Sequence, residues 1–458
     1  MNTRDIYRNI EIIKILNEID VKINNVSTDT RKIKENDIYV GIKGNNFDGN
    51  KLYKEAFLKG ASLAILSSVD ESKELLKYLK DNNKSIIIVE DTIMALGSLA
   101  KYKRSLFKNP VVAITGSAGK TSTKDMIYSV LKEKYKAHKT IGNQNNHIGL
   151  PLTILGLDEN TEVLVLEMGM NHLGEISYLT NIAKPDIAVI TNVGTAHIGN
   201  LGSRENILKA KLEIMEGLCD SGTLVINNDN DLLHDWYLNN KDKHNIKTIG
   251  FKNESDYQAT SIIENESSSE FICHNVKISV PIGGEHFIYN SLVSLVIGDL
   301  FNIDFPSIQH GITNFELSQN RMNIIHDDDT KITVIDDSYN ANFDSLSYAI
   351  KYLGNMHGRR IAVIGTMLEL GEFSEELHQK LGDLIYNEDI DILITVGEYT
   401  EFINKRAQQL GFDAFNSYHF SSNDDAISLI NEIKTSNDKI LVKASYSKHF
   451  KDIVDNII

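Results

Sequence analysis

The string Val111-Val112-Ala113-Ile114-Thr115-Gly116-Ser117-Ala118-Gly119-Lys120-Thr121-Ser122 constrains this chain more than any other stretch. Apolar and β-branched residues read as a buried strand, and a short loop with two glycines follows. Met126, Ile127, Val130 and Leu131 then fall at helical spacing. A strand that passes through such a loop into a helix aims the unpaired N–H groups of the helix start at whatever sits over the loop. This is a cradle for phosphate. Gly116 and Gly119 let the backbone approach, Lys120 neutralises charge, and Thr121 can ligate Mg²⁺. The first glycine of the general phosphate-loop pattern is replaced by Ile114.

With 458 residues, at about 150 residues per domain, the chain has material for about three domains. Apolar residues make up 41% and charged residues 24%, an ordinary globular mix that argues against a disordered or fibrous chain. Lys and Arg number 47 against 63 Asp and Glu, a net charge of -16, which excludes a broad basic surface for nucleic acid. A local anion site remains compatible with that balance. Cys219 and Cys273 form neither a metal-ligand spacing nor a disulfide framework. Charges interrupt the N-terminal stretch, and no run approaches the roughly 20 apolar residues a membrane span needs. The expectation is a cytoplasmic protein without membrane insertion.

Residues 1–107 alternate short apolar runs (Ile38 to Ile42, Leu63 to Leu66, Ile86 to Val89) with amphipathic stretches and read as a small N-terminal α/β domain. Lys108-Asn109-Pro110 forms a joint. The runs Val111 to Thr115, Val163 to Leu166, Ile187 to Thr191 and Leu224 to Asn227 then predict a central P-loop domain, 108–315, built on a parallel sheet. Glu254 to His274, poor in apolar residues, reads as a surface loop or β excursion. Phe315 to Met322 crosses into a C-terminal Rossmann-like α/β domain, 316–458, with strands at Lys331 to Ile335, Arg360 to Ile364, Ile390 to Val396 and Lys439 to Lys443.

Glu167 ends a strand-like run, where a carboxylate of a parallel sheet faces the ligand crevice and can hold the Mg²⁺ of a nucleotide; the other reading is a solvated strand end. His197 follows the next strand in Gly194-Thr195-Ala196-His197, as a metal ligand, a charge partner or a structural residue. Lys211 shares a helix face with Ile207 and Ile214 in the segment Ser203 to Leu218. It either snorkels to water or, partly buried, has a depressed pKa and a reactive neutral amine.

Thr115 to Thr121, Glu167-Met168-Gly169, Asn192 to His197, Lys209-Ala210-Lys211 and Gly284 to Asn290 resemble the Mur ligases, ATP-dependent amide-forming enzymes of bacterial peptidoglycan synthesis, along essentially the whole chain. Within that family, Asp336 to Asn342 and Val363 to Gly371 look like the members that add D-alanyl-D-alanine to UDP-N-acetylmuramoyl-tripeptide. The Asp-Asn-Pro string of the diaminopimelate-adding members is absent. The resemblance implies a magnesium- and ATP-dependent ligase of cell-wall biogenesis, hence of cell shape and division, acting as a monomer through an acyl phosphate. It further implies ATP binding by Gly116, Ser117, Ala118, Gly119, Lys120, Thr121, Ser122, Asn290, Arg321, Asp337, Tyr339, Asn340 and Asn342, and metal binding by Thr121, Glu167, His197 and Lys211. Lys211 matches the family's carbamylated lysine, and Lys120, Lys211 and His197 carry the catalytic expectation. Ser27, Thr30, Arg31, Asn46, Asp48 and Gly49 resemble the segments that hold the UDP-sugar, and Asn145 and Asn146 those that line the peptide channel; as plain turn formers, these residues also have a simpler reading.

Some positions depart from the family pattern: Thr366 stands for Asp, Phe287 for Asn, Phe343 for Pro, and Lys443-Ala444-Ser445-Tyr446 for Lys-Gly-Ser-Arg. Two other functions compete. Another ligase of the superfamily, for a different amino acid or folate, would share Lys120, Glu167 and Lys211 but not Tyr339 to Asn342 with Leu368 to Gly371. A P-loop switch for GTP would want Asn-Lys-x-Asp, which Asn240-Lys241-Asp242-Lys243 does not supply.

Overall fold

The strand-like runs assemble, in chain order, into three open sheets, seen here in a computed structural model that describes residues 1–318, 320–327 and 329–458. Gln319, inside the crossover read from the sequence, lies outside the described residues. The first sheet contains β1 (Lys14–Leu16), β2 (Val26–Ser27), β3 (Ile38–Val40), β4 (Leu63–Leu66) and β5 (Ser85–Ile88), in the order β1-β5-β4-β3-β2. All its neighbours are parallel except β1, which pairs antiparallel with β5.

The second sheet holds β6 (Val111–Thr115), β7 (Ala137–Lys139), β8 (Val163–Glu167), β9 (Ile187–Ile190), β10 (Thr223–Asn227), β11 (Ile246–Gly250) and β12 (Tyr257–Gln258). Its order, β12-β11-β10-β9-β6-β8-β7, is parallel throughout. β6 lies between β8 and β9, so the chain switches sides across it; open parallel sheets bind ligands beyond the carboxyl end of such a strand. The phosphate-loop string continues from that end. The stretch expected as a surface excursion is an antiparallel meander of β13 (Thr260–Asn265), β14 (Ser268–Cys273) and β15 (Val276–Val280).

The third sheet runs β16 (Asn323–His326), β17 (Thr333–Asp336), β21 (Lys439–Lys443), β18 (Arg360–Gly365), β19 (Ile392–Val396), β20 (Ser417–Phe420). Only β16 is antiparallel to its neighbour. β16 was not expected from the sequence; it is a four-residue edge strand without a buried position and so has no apolar signature.

Two helices pack on the phosphate-loop helix Lys120–Leu131, namely Glu285–Leu300 and Phe305–Thr313. The former is buried from Phe287 to Gly298, mostly apolar all round as a sandwiched helix is, with Asn290, Ser291 and Ser294 hydrogen-bonded within it or to the phosphate-loop helix. Gly311 permits the latter to approach: a Cβ there would sit 2.6 Å from Val130 Cα and 2.9 Å from Ser129 O, both backbone atoms. Gly311→Ala is therefore expected to destabilise the protein by about 1–3 kcal/mol despite its better helix propensity. Urea denaturation checks this, and an unchanged or higher midpoint would contradict the packing.

Candidate active site

A cavity of about 410 Å³ opens where β6 runs into its loop, walled on one side by the second sheet's loops and on the other by residues of the third unit. The loop is shaped by its glycines. A Cβ on Gly116 would lie 1.8 Å from Thr191 Oγ1, and Gly119 has φ 79°, a left-handed conformation that glycine adopts without cost. The end of β9 braces it: Asn192 Oδ1 accepts from the N–H groups of Ser117 (3.0 Å) and Ala118 (2.9 Å), and Thr191 Oγ1 donates to Ala118 O at 2.7 Å. Lys120, Thr121 and Ser122 form the first turn of the helix, where N–H groups lack intrahelical acceptors. Lys120 Nζ donates to Gly116 O at 2.7 Å. Its pKa is lowered chiefly by burial and further by Arg321, against the attraction of Glu167 and Glu369.

Glu167 ends β8 and is 2% exposed, so it is not a solvated strand end. Lys124 Nζ donates to its Oε2 at 3.4 Å and Asn145 Nδ2 to its Oε1 at 2.8 Å, while Thr140 Oγ1 accepts from its N–H at 3.0 Å. Thr121 and Glu167 both line the cavity. His197, at φ 62°, brings Nδ1 within 2.6 Å of Glu369 Oε2, close but without hydrogen-bond alignment. That imidazole is the main reason the Glu369 carboxyl lies below its ordinary range. Among the described residues no group of three or more His, Cys, Asp and Glu is arranged to hold a metal ion. The oxygen donors Thr121 and Glu167 beside a phosphate cradle nevertheless fit Mg²⁺, which commonly takes one or two protein oxygens and completes its shell with phosphate and water.

Lys211 does not line the cavity. Its side chain is 1% exposed, on the buried face it shares with Ile207 and Ile214, so it does not snorkel. Burial first, and then the charge of Lys120, holds its pKa well below the ordinary lysine value, with Asp344 opposing. The segment expected as one helix is Arg204–Leu212 followed by a 3₁₀ turn, Glu213–Glu216.

The third unit meets the cradle directly. Asn342 Nδ2 donates to Ser117 O at 3.0 Å; Asp344 Oδ2 accepts from the Thr195 N–H at 2.7 Å; Gly199 N–H donates to Glu369 O at 3.0 Å. On the meander side, Tyr352 Oη donates to Glu266 O at 2.5 Å. The Arg321 guanidinium lies 4.1 Å over the Tyr339 ring, and Tyr446, where the family pattern has Arg, packs against Tyr339 at 5.6 Å. Lys443 is buried between Asp337 Oδ2 (2.5 Å) and Asn340 O (2.9 Å). Thr366, in place of the family's Asp, donates to Glu398 O at 2.9 Å.

Beside Gly119, Asn290 Oδ1 accepts from Thr123 Oγ1 at 2.8 Å, and its Nδ2 is a buried donor without a protein acceptor. His286, Tyr289 and Tyr348 line the same cavity. Aromatic rings beside an unspent amide donor suit a flat nitrogenous base. Phe287 faces away into the core and packs on Phe315 at 6.0 Å. The residues implied for the nucleotide thus converge here, with Gly116 behind the wall rather than in it. Asn145 and Asn146 also line the cavity, whereas Ser27 at the end of β2, Thr30 and Arg31 after it, and Asn46, Asp48 and Gly49 after β3 lie outside it in the first unit. A second cavity, of about 250 Å³, is lined by Ile93 and Met94 of the first unit and by Leu173 and Tyr178, and shares Asn146, His147, Gly169 and Glu175 with the first.

Sequence reasoning missed Lys124, Asp344 and Glu369, and it gave no role to the side chains of Asn192 and His286. Glu369, Asn192 and His286 carried a signal, each lying inside a segment already singled out, whereas Lys124 and Asp344 lay outside them. Burial, with Lys443 adding repulsion, takes the His286 imidazole down to about 3. The unfolded chain binds that proton near pH 6.5, so it holds more protons than the folded chain between about 6.5 and 3, and stability falls as pH drops through that window. Between pH 7.5 and 5 the parent protein should lose about 1–2 kcal/mol more than His286→Gln. Urea titrations at the two pH values test this, and parallel losses would contradict it.

Three family descriptions match the chain: "Mur ligase family, catalytic domain" over residues 22–104, "Mur ligase middle domain" over 114–298, and "Mur ligase, glutamate ligase domain" over 320–446. A UDP-N-acetylmuramoyl-tripeptide--D-alanyl-D-alanine ligase of Bacillus subtilis (strain 168) is 36% identical, covering 95% of this chain and 93% of that protein. The ligase of the same name from Escherichia coli (strain K12) is 31% identical, covering 84% of each. Among solved structures, MurF from Acinetobacter baumannii superposes with a TM-score of 0.88 at 27% identity, covering 99% of this chain and 98% of that one. MurF ligase from Thermotoga maritima, in complex with ADP, gives 0.81 at 28% identity, covering 95% and 97%.

Proposed function

Because the chain belongs to the Mur ligase family, we propose that it joins D-alanyl-D-alanine to UDP-N-acetylmuramoyl-tripeptide, splitting ATP to ADP and phosphate, in peptidoglycan precursor synthesis. The observation that carries this reading is the phosphate cradle of the central unit, met by Asn342 and Asp344 of the third unit over one cavity. The division of labour follows the sheets: 1–107 for the UDP-muramoyl end, 108–315 for ATP, and 316–458 for the dipeptide and closure. A cytoplasmic, monomeric protein belongs to the same proposal; among the described residues no helix is long and apolar enough to cross a membrane.

A free carboxylate is a poor acyl donor at neutral pH, so the tripeptide's terminal carboxylate first attacks the γ-phosphorus of ATP and ADP leaves. The amine of the dipeptide then attacks the acyl phosphate, and the tetrahedral intermediate expels phosphate to leave the amide. The side chains and N–H groups around the cavity position these groups and meet their charge. Lys120 and the helix-start N–H groups bear on the phosphate chain, and Arg321 adds a second cation from the third unit. Thr121 and Glu167 would hold Mg²⁺, which supplies positive charge to the phosphate oxygens when bound. Asn290, with its unspent donor, faces the base. Lys211, depressed well below an ordinary lysine, is suited to take up CO₂ as a neutral amine and become an anionic carbamate; His197 would then be its neighbour at the metal. Ser27, Thr30, Arg31, Asn46, Asp48 and Gly49 hold the UDP-sugar, and the tripeptide passes Asn145 and Asn146. The third unit's contact with the cradle keeps water from the acyl phosphate.

Phosphate release from ATP with UDP-N-acetylmuramoyl-tripeptide, measured with and without D-alanyl-D-alanine, tests the reading. Sustained release is expected only with both; equal release from ATP alone would overturn it. Lys120→Ala should lower amide formation about 10²–10³-fold or more while UDP-N-acetylmuramoyl-tripeptide affinity, measured by calorimetry, stays nearly unchanged. Loss of that affinity too would contradict the separation of the two sites.

A further inference from the structure

The helix under the phosphates carries two adjacent buried charges that the reaction above does not use. Lys124 is 0% and Asp125 1% exposed. Lys124 Nζ stands 3.4 Å from Glu167 Oε2 and 3.6 Å from Asp125 Oδ1. Asp125 Oδ1 also accepts from Lys139 Nζ at 2.7 Å, and its Oδ2 accepts from the Ser318 hydroxyl at 2.7 Å and the Ser318 N–H at 3.2 Å. One buried carboxylate therefore clasps three pieces of chain. The first is its own helix, five residues beyond Lys120. The second is Lys139 at the end of β7, beside Thr140, which accepts from the Glu167 N–H. The third is the connector between the helix Phe305–Thr313 and β16, which also contains Arg321.

Ser318 belongs to neither a helix nor a strand, and both of its donors end on Asp125. Beyond it the chain enters the sheet whose loops deliver Asn342 and Asp344 to the cradle. We propose that Asp125 is a positioning residue that anchors the connector to the phosphate-binding helix, so that Arg321, Asn342 and Asp344 arrive in register over the nucleotide. Lys139 neutralises the carboxylate and Ser318 is the part it positions. Its kinetic consequence rests on the ligase reading, whereas its geometric consequence does not.

The test uses the full chain with two single variants, their double and a conservative control. Ser318→Ala removes the hydroxyl yet leaves the Asp125–Lys139 pair intact; Asp125→Asn keeps the shape and removes the charge; Ser318→Thr is the conservative control. Spin labels on Lys241→Cys and Gln408→Cys, in a Cys219→Ser background, report the distance between the second and third units with a non-hydrolysable ATP analogue. Ser318→Ala and Asp125→Asn should each broaden that distribution and lower kcat at least about tenfold with KM for UDP-N-acetylmuramoyl-tripeptide changed less than about twofold. The double variant should be no worse than Asp125→Asn alone, and Ser318→Thr should behave as the parent. A narrow, parental distribution and parental kcat in Ser318→Ala would overturn the proposal even if Asp125→Asn fails to fold, because Asp125 would then serve Lys139 alone. If the parent makes no amide while Ser318→Ala broadens the distances, the ligase reading fails and the anchor stands.

Discussion

Positive charge concentrated at one helix start is the constraint around which the molecule is arranged. Lys120 begins the helix Lys120–Leu131 and lines the cavity with Arg321 of the third unit, and Lys211 is buried where it feels the charge of Lys120. Burial is the leading cause of the depressed pKa of both lysines; the charge of Lys120 adds to it at Lys211, and at Lys120 the repulsion of Arg321 adds to it against the attraction of Glu167. A polyanion relieves both costs together, since it supplies opposite charge where water is scarce. The surrounding features serve that cradle: Gly116 and Gly119 shape the loop, Asn192 braces it, and Lys124 with Asn145 holds Glu167 at its edge.

Much of the joint between the second and third units around the cavity is polar. It includes hydrogen bonds from Asn342 to Ser117, Thr195 to Asp344, Gly199 to Glu369, Tyr352 to Glu266 and Ser318 to Asp125. Each such bond contributes only about 0.5–1.5 kcal/mol net, so a bound nucleotide that touches both sides can shift the closure equilibrium. Close approach also needs small residues. A Cβ on Gly194 would fall 2.0 Å from Asp344 Oδ2, and one on Gly199 would fall 2.6 Å from the Gly371 nitrogen. The third unit thus meets the backbone of the second at these glycines, beside an apolar core that continues between the two units.

Local patterns made the three sheets and the phosphate loop legible, because strand alternation, glycine punctuation and helical spacing act over few residues. Lys211 was legible as a buried lysine through the face it shares with Ile207 and Ile214. The Lys124–Asp125 pair was not: two adjacent charges on a helix read as solvated, and it takes β7, β8 and the connector before β16, distant in the chain, to bring Lys139, Glu167 and Ser318 onto them. Asp344 and Glu369 escaped for a different reason. Their partners, Thr195 and His197, lie about 150 or more residues earlier in the chain. The resemblance to a known family located the nucleotide-side residues that spacing alone could not assign, yet it did not foresee Tyr446 filling the family's arginine position by packing on Tyr339.

The central claim is that the cavity activates a carboxylate by phosphorylating it. The most direct measurement is the fate of oxygen-18 placed in the terminal carboxylate of the tripeptide during turnover with ATP and D-alanyl-D-alanine. If the acyl phosphate forms, one labelled oxygen leaves with each phosphate released and the new amide keeps the other. Unlabelled phosphate would mean that water, and not the substrate carboxylate, receives the phosphoryl group, and would contradict the account.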